Sequence, residues 1–167
     1  MRSPLHAMLG LVVALIFAMA AAYVSAQEDP GRAKMGALEV TVYFATDGDP
    51  QAAGEKAREI APSLAERLRS EQRLSFAHYR AMGADTQAVF RSYENWAQPL
   101  KPSDEVLVRF ETRSQPEADS VSLDLELWLA RKKILKTDAN LRAGRPLYVL
   151  GPQWRGGRLI IAVALAK

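Results

Sequence analysis

The second half of the chain alternates apolar and polar residues over consecutive segments, and this periodicity limits the fold more than any other sequence feature. Residues 105–113 read EVLVRFETR, and residues 120–130 read SVSLDLELWLA. Every second side chain is apolar in both, which is the pattern of a β-strand with one buried face. Residues 134–141 continue this alternation, and residues 146–150 and 158–166 complete a set of five predicted strands.

Short connections join these predicted strands. The sequences ARKK, RAGRP and GPQWRGG each link two neighbouring strands. Connections of this length are typical of hairpins, whose strands run antiparallel. The last segment, RLIIAVALA, is apolar at consecutive positions. We therefore expect it to be a central strand or one covered by a helix.

A strand and a helix are predicted before this region. Residues 37–46 alternate like the later strands, and residues 51–74 have a helical pattern. Pro62 either separates two short helices or lies in the first turn of the main helix, where a missing N–H costs little. Residues 76–97 predict two short strands around Gly83, the second of which could instead be a turn or two of helix. Together these segments predict an α+β fold, with an N-terminal strand and one main helix packed on an antiparallel β-meander.

The N-terminus predicts export. Arg2 is followed by an uncharged, mostly apolar run that ends in Val24, Ser25 and Ala26. A basic start, an apolar middle and small residues before the cleavage point define a secretory signal peptide, so we expect cleavage after Ala26. The alternative is an uncleaved membrane anchor, because the run approaches the roughly 20 apolar residues that span a bilayer.

The predicted organisation has three parts. Residues 1–26 form a cleaved signal peptide, residues 27–36 a flexible leader, and residues 37–167 a single α+β domain in the periplasm or outside the cell. The chain contains no cysteine. The exported domain therefore depends on its hydrophobic core rather than on disulfides.

Charge argues against a nucleic-acid partner. Without Arg2 the chain has 21 basic and 19 acidic residues, far from the strong basic excess of nucleic-acid-binding proteins. The positive charge is concentrated after residue 119, where nine Lys and Arg residues accompany three acidic ones.

Motifs for catalysis, metal binding and cofactor binding are not found in the sequence. His78 is the only histidine after residue 26, and without cysteine a zinc site would need at least two carboxylates at a suitable spacing. Neither a Gly-x-Ser-x-Gly elbow nor a P-loop is present. We predict that His78 is a partly buried strand residue, that Asp47 and Asp49 belong to a solvated turn, and that the protein uses no metal and no cofactor.

Three connections are predicted to meet at one end of the sheet, because antiparallel strands return the chain to the same end at every second turn. They contribute two tryptophans and five cations, namely Trp96, Lys101, Arg131, Lys132, Lys133, Trp154 and Arg155. Tryptophan, arginine and lysine suit binding of an envelope protein or an anionic polymer. Alternatively, the tryptophans close the end of the core, and Gly156 and Gly157 supply the turn.

Three functions follow from these features. The leading hypothesis is a non-catalytic exported domain that binds its partner through the seven residues above. The second is a hydrolase of cell-wall or carbohydrate material with a carboxylate pair; Asp124 and Glu126 share one sheet face, although such charges are typical of a solvated surface. The third is a membrane-tethered assembly component, if the N-terminal segment stays attached.

Overall fold

A computed structural model describes residues 28–113 and 119–166, so the predicted signal peptide lies outside the described residues. The described part contains nine strands, one α-helix (α1, Pro62–Ser70) and three short 3-10 helices. The strands are β1 (Lys34–Thr46), β2 (Arg58–Glu59), β3 (His78–Phe90), β4 (Asn95–Ala97), β5 (Val106–Thr112), β6 (Ser120–Leu129), β7 (Lys132–Arg142), β8 (Leu147–Trp154) and β9 (Gly157–Leu165).

The strands form two antiparallel sheets, and the prediction of a single meander was wrong in this respect. One sheet has the order β2-β3-β1-β9-β8, and the other has the order β4-β5-β6-β7. The chain thus leaves the four-stranded sheet after β7 and enters the five-stranded sheet with β8. Each sheet has an apolar face to bury, and a helix of nine residues is too short to cover either one. The architecture is α+β in its coarse form, because most of it is antiparallel β-sheet and it has one small helix.

The main core lies between the two sheets. It combines alternate residues of β1 and β9 from one sheet with alternate residues of β5 and β6 from the other. The most buried of these residues, each at most 1% exposed, are Leu38, Val40, Val42, Val106, Val108, Phe110, Leu123, Leu125, Leu127, Leu159, Ile161 and Val163. In β1, β5 and β6 these residues are the ones that the alternating pattern predicts to face inward.

Helix α1 covers part of the outer face of the five-stranded sheet. It begins at Pro62 in its first turn, which is the second of the two alternatives for this proline. Ala65 and Leu68 lie in one apolar cluster with Ile160 of β9. Because Ile161 faces the other sheet, β9 is apolar on both sides, and the prediction that it is central or helix-covered is confirmed. Among the described residues, no helix has the length and apolar character needed to cross a bilayer.

Some local predictions differ from the structure. Strand β3 runs without interruption through Gly83, where a Cβ atom would lie 2.2 Å from the carbonyl oxygen of Pro99. The glycine thus reflects close packing within a strand rather than a break between two strands. His78 is the first residue of β3 but is exposed, so the prediction of partial burial was wrong. Strand β1 begins at Lys34, three residues before the predicted start.

Truncation of a side chain between the sheets should greatly destabilise the fold. Leu125→Ala leaves a cavity at a position that is 1% exposed, and we expect it to lower the free energy of unfolding by about 2–5 kcal/mol. Ile134→Ala removes a similar side chain that is 44% exposed and should cost less than about 1 kcal/mol. Urea denaturation of both variants measures the difference, and equal losses would contradict the described core.

Candidate functional site

The three connections that were predicted to share one end do adjoin one another, around Asp104 and Glu105. The backbone N–H of Ala130, in the β6–β7 turn, donates to the carbonyl oxygen of Glu105 at 2.8 Å. In the same turn, Arg131 Nε donates to Asp104 Oδ2 at 3.1 Å. Trp154 Nε1, at the end of β8, donates to Glu105 Oε1 at 3.3 Å. The residues before β5 therefore contact both hairpin turns.

The seven predicted residues nevertheless separate into groups, because Trp96 and Lys133 belong to a different surface. Trp96 pairs with Arg109 across β4 and β5, on the face opposite the core. There its ring lies 5.9 Å from the ring of Trp128. Lys133 Nζ lies 5.4 Å from the Trp128 ring centre and 3.1 Å from Glu126 Oε1. Trp96 and Lys133 thus lie on the outer face of the four-stranded sheet.

This outer face is a network of opposite charges. Arg109 pairs with Glu94 and, at 2.8 Å, with Glu111. Lys136 Nζ lies 3.1 Å from Asp124 Oδ2 and 3.5 Å from Glu126 Oε1. The cations cover the two carboxylates of β6, which are only 8% and 5% exposed. The expectation that these carboxylates are ordinary solvated charges was therefore wrong.

The electrostatics of Glu126 do not suit the role of general acid in a carboxylate pair. A hydrogen bond from Lys133 lowers the pKa of Glu126, burial opposes this effect, and a further hydrogen bond from the Trp128 indole supports it. A general acid in glycoside hydrolysis needs a raised pKa so that it stays protonated near neutral pH. Glu126 has the opposite shift, so the general acid of the hydrolase alternative would have to be another carboxylate.

Two of the four predicted cations at the shared end have acidic partners. Lys101 Nζ lies 2.8 Å from Asp85 Oδ1, and Arg131 pairs with Asp104. Lys132 is exposed at the start of β7, without an ion pair in the described part of the chain. Surface ion pairs contribute little to stability. Their main effect here is to reduce the number of positive charges that remain free for a partner.

Trp154 and Arg155 form an aromatic–cation pair at this end. Arg155 has φ 47° and Gly156 has φ 79°, the positive values that a two-residue type I′ hairpin turn requires. The Arg155 guanidinium lies 4.3 Å from the centre of the Trp154 ring. That ring meets Phe44 edge-on at 5.6 Å and packs against the main core. Trp154 thus closes the end of the core while it supports the arginine.

A cleft of about 550 Å³, which we call the turn cleft, lies beside this hairpin. Its lining includes Asp47, Phe76, Gln153, Trp154, Arg155 and Arg158. Arg158 is occupied, because it donates two hydrogen bonds, of 3.1 and 2.7 Å, to the carbonyl oxygen of Gly151. Asp47 accepts a hydrogen bond from the Ala77 backbone N–H at 2.8 Å. Arg155 is thus the cation of this cleft whose side chain forms no hydrogen bond or ion pair within the described residues.

Sequence reasoning missed Trp128. Its position between the core residues Leu127 and Leu129 was the available signal, because alternation places the middle residue on the outer face. Residues 28–113 and 119–166 contain no cluster of three or more His, Cys, Asp or Glu side chains placed to hold a metal ion.

Loss of the Glu126 contacts should appear as a change in acid stability. Its folded-state pKa lies below the usual 4.5, so its contribution to stability is complete above the unfolded-state pKa and is lost as the pH falls through the folded-state value. Glu126→Gln should therefore show a smaller loss in free energy of unfolding than the wild type between about pH 5.5 and pH 3. Urea denaturation across this pH range measures the free energy of unfolding of each protein. Glu66→Gln, on the exposed side of α1, is the control, and equal pH dependence in all three proteins would contradict the role of Glu126.

No protein-family model, curated protein or solved structure matches this chain. A functional assignment therefore depends on the side chains that the fold brings together. The strongest such group at the predicted end is the Trp154–Arg155 pair at the turn cleft.

Proposed function

We propose that this protein is an exported, non-catalytic domain of the cell envelope that binds the anionic groups of a polymer or of an acidic protein segment at the turn cleft. The single observation that carries the proposal is the Arg155 guanidinium. It lies 4.3 Å from the centre of the Trp154 ring, and it forms no ion pair with the described residues. Such a guanidinium can donate two parallel hydrogen bonds to one carboxylate or phosphate group.

The backbone at Arg155 supports the proposal. Its φ of 47° lies in the left-handed region, where a residue other than glycine costs of order 1 kcal/mol. Glycine or asparagine is the usual residue at this position of a type I′ turn. Ala130 and Arg131 have the same left-handed conformation, so it is the combination of this backbone with the contact to Trp154 that supports a role for the Arg155 side chain.

Packing below the turn also favours binding. A Cβ atom at Gly157 would lie 2.4 Å from the carbonyl oxygen of Ala45 and 2.5 Å from the Phe44 ring. The hairpin therefore packs in direct contact with β1. Trp154 is fixed by its contact with Phe44 and by its hydrogen bond to Glu105. Arg155 therefore lies on a ring that is already fixed, so less conformational entropy is lost when a partner orders its side chain.

Removal of the Arg155 side chain should weaken binding to carboxylate polymers. Poly-L-glutamate represents an acidic protein segment, and polygalacturonate represents an acidic polysaccharide. We expect one of them to bind the exported chain, with an affinity that falls at least fivefold in Arg155→Ala, as titration calorimetry at low salt would measure. The polymer that binds identifies the class of partner.

Arg91→Ala is the matched control, because it removes one exposed arginine next to β3, at the other end of the five-stranded sheet. A general charge effect would weaken binding equally in both variants. That result, or unchanged binding in Arg155→Ala, would exclude the turn cleft as the binding site.

Export and cleavage form a separate part of the proposal. The predicted signal peptide leads us to expect a mature chain that begins at Gln27. Intact-mass spectrometry of the protein recovered from its host's envelope fraction measures this directly. A mass that includes residues 1–26 would instead support the membrane-tethered alternative.

A further inference from the structure

A second cleft lies away from the turn cleft, between α1 and the β7–β8 connection. Its volume of about 710 Å³ is within the range of roughly 300–1,000 Å³ that is usual for small-molecule sites. One wall comes from α1 and the 3-10 helix that follows it, at residues 67–74. The other comes from residues 144–146, and the base comes from β8.

The base of this cleft is apolar. Leu74 belongs to the apolar cluster beneath α1, and Tyr148 and Leu150 of β8 pack against that cluster while remaining only partly buried. Helix α1 ends at Ser70, and the guanidinium of its residue Arg67 lies 6.0 Å from the centre of the Tyr148 ring. A ligand with an apolar part would complete the burial of Tyr148 and Leu150, and burial of apolar surface is favourable by roughly 25 cal/mol per Å².

The rim of the cleft is basic. Arg67, Arg73 and Arg145 line it together with one acid, Glu71. Arg67 Nη2 donates to the hydroxyl oxygen of Tyr148 at 3.0 Å, which leaves the hydroxyl proton available to an acceptor. The side chains of Arg73 and Arg145 have no hydrogen bond or ion pair within the part of the chain that the structure describes.

We propose that this cleft binds an anionic headgroup, a phosphate or carboxylate, that is attached to an apolar chain. Guanidinium groups recognise such headgroups through charge-assisted hydrogen bonds. The apolar chain would lie on Tyr148 and Leu150. The ligand is either a free amphiphile or a lipid at a membrane surface, and both share this chemistry. Neither Trp154 nor Arg155 lines the cleft, so the site is independent of the turn cleft.

Octyl phosphate is the test ligand, because it joins a phosphate to a short apolar chain. Titration of the ¹⁵N-labelled exported chain should shift the amide signal of Gly144, at the edge of this cleft, and leave Gly156 of the turn cleft unchanged. We expect octyl phosphate to bind at least tenfold more tightly than inorganic phosphate or the uncharged octyl glucoside. Equal affinity for octyl phosphate and either control compound would overturn the proposal.

Variants test the charges directly. The double variant Arg73→Ala/Arg145→Ala should weaken octyl phosphate binding at least tenfold. Glu71→Gln should strengthen it severalfold, because it removes the one carboxylate that lines the cleft among the described residues. Arg91→Ala should have no effect. Both substituted arginines are exposed, so these changes leave the fold intact, and retained binding in the double variant would disprove the site.

Vesicle binding distinguishes a free amphiphile from a membrane lipid as the ligand. Sedimentation with phosphatidylcholine vesicles that contain phosphatidylglycerol measures membrane binding, and phosphatidylcholine alone is the control. The proposal is supported if the protein binds octyl phosphate or the anionic vesicles and the double variant loses that binding. Binding to octyl phosphate alone indicates a free amphiphile, and binding to the vesicles indicates a membrane lipid. Failure to bind in both arms would overturn it.

Discussion

A chain without cysteine must hold its two sheets together by apolar burial, and strand β1 is where this burial is concentrated. It lies between β3 and β9 in the five-stranded sheet. Its residues Val40 and Val42 face the other sheet, whereas Ala45 faces α1. Phe44 extends the core to the end where Trp154 packs. The turn cleft lies at the end of this strand, because Thr46 lines it, and a binding site on a strand keeps its geometry better than one on a loop.

Alternation predicts which residues are buried but not what they are buried against. Strand β6 was predicted within residues 120–130 and is found at Ser120–Leu129, because the pleat places every second side chain on one face. The connection RAGRP has the same length whether the chain continues in one sheet or crosses to another. The division into two sheets depends on long-range packing, which the alternation of apolar and polar residues does not predict.

The β8–β9 turn belongs to the other sheet, and it reaches Glu105 because the two sheets pack together. The approach of the β4–β5 and β6–β7 connections to one another followed from antiparallel geometry, since each hairpin returns the chain to the same end. The direction of each side chain did not. Pairing of β4 with β5 places Trp96 opposite Arg109, on the outer face and away from Trp154. Lys101 and Arg131 have partners 16 and 27 residues away in sequence. Such pairs form only in the folded chain, so the sequence overestimates the free positive charge.

The left-handed conformation of Arg155 also has an evolutionary consequence. Glycine and asparagine fit this backbone better, and substitutions that relieve strain at functional positions commonly raise stability while they reduce function. Selection for heat resistance alone should thus enrich glycine or asparagine at position 155 while the core remains unchanged. Selection for partner binding should retain the arginine. The residue at position 155 of a variant would therefore show which of the two selections had been applied to it.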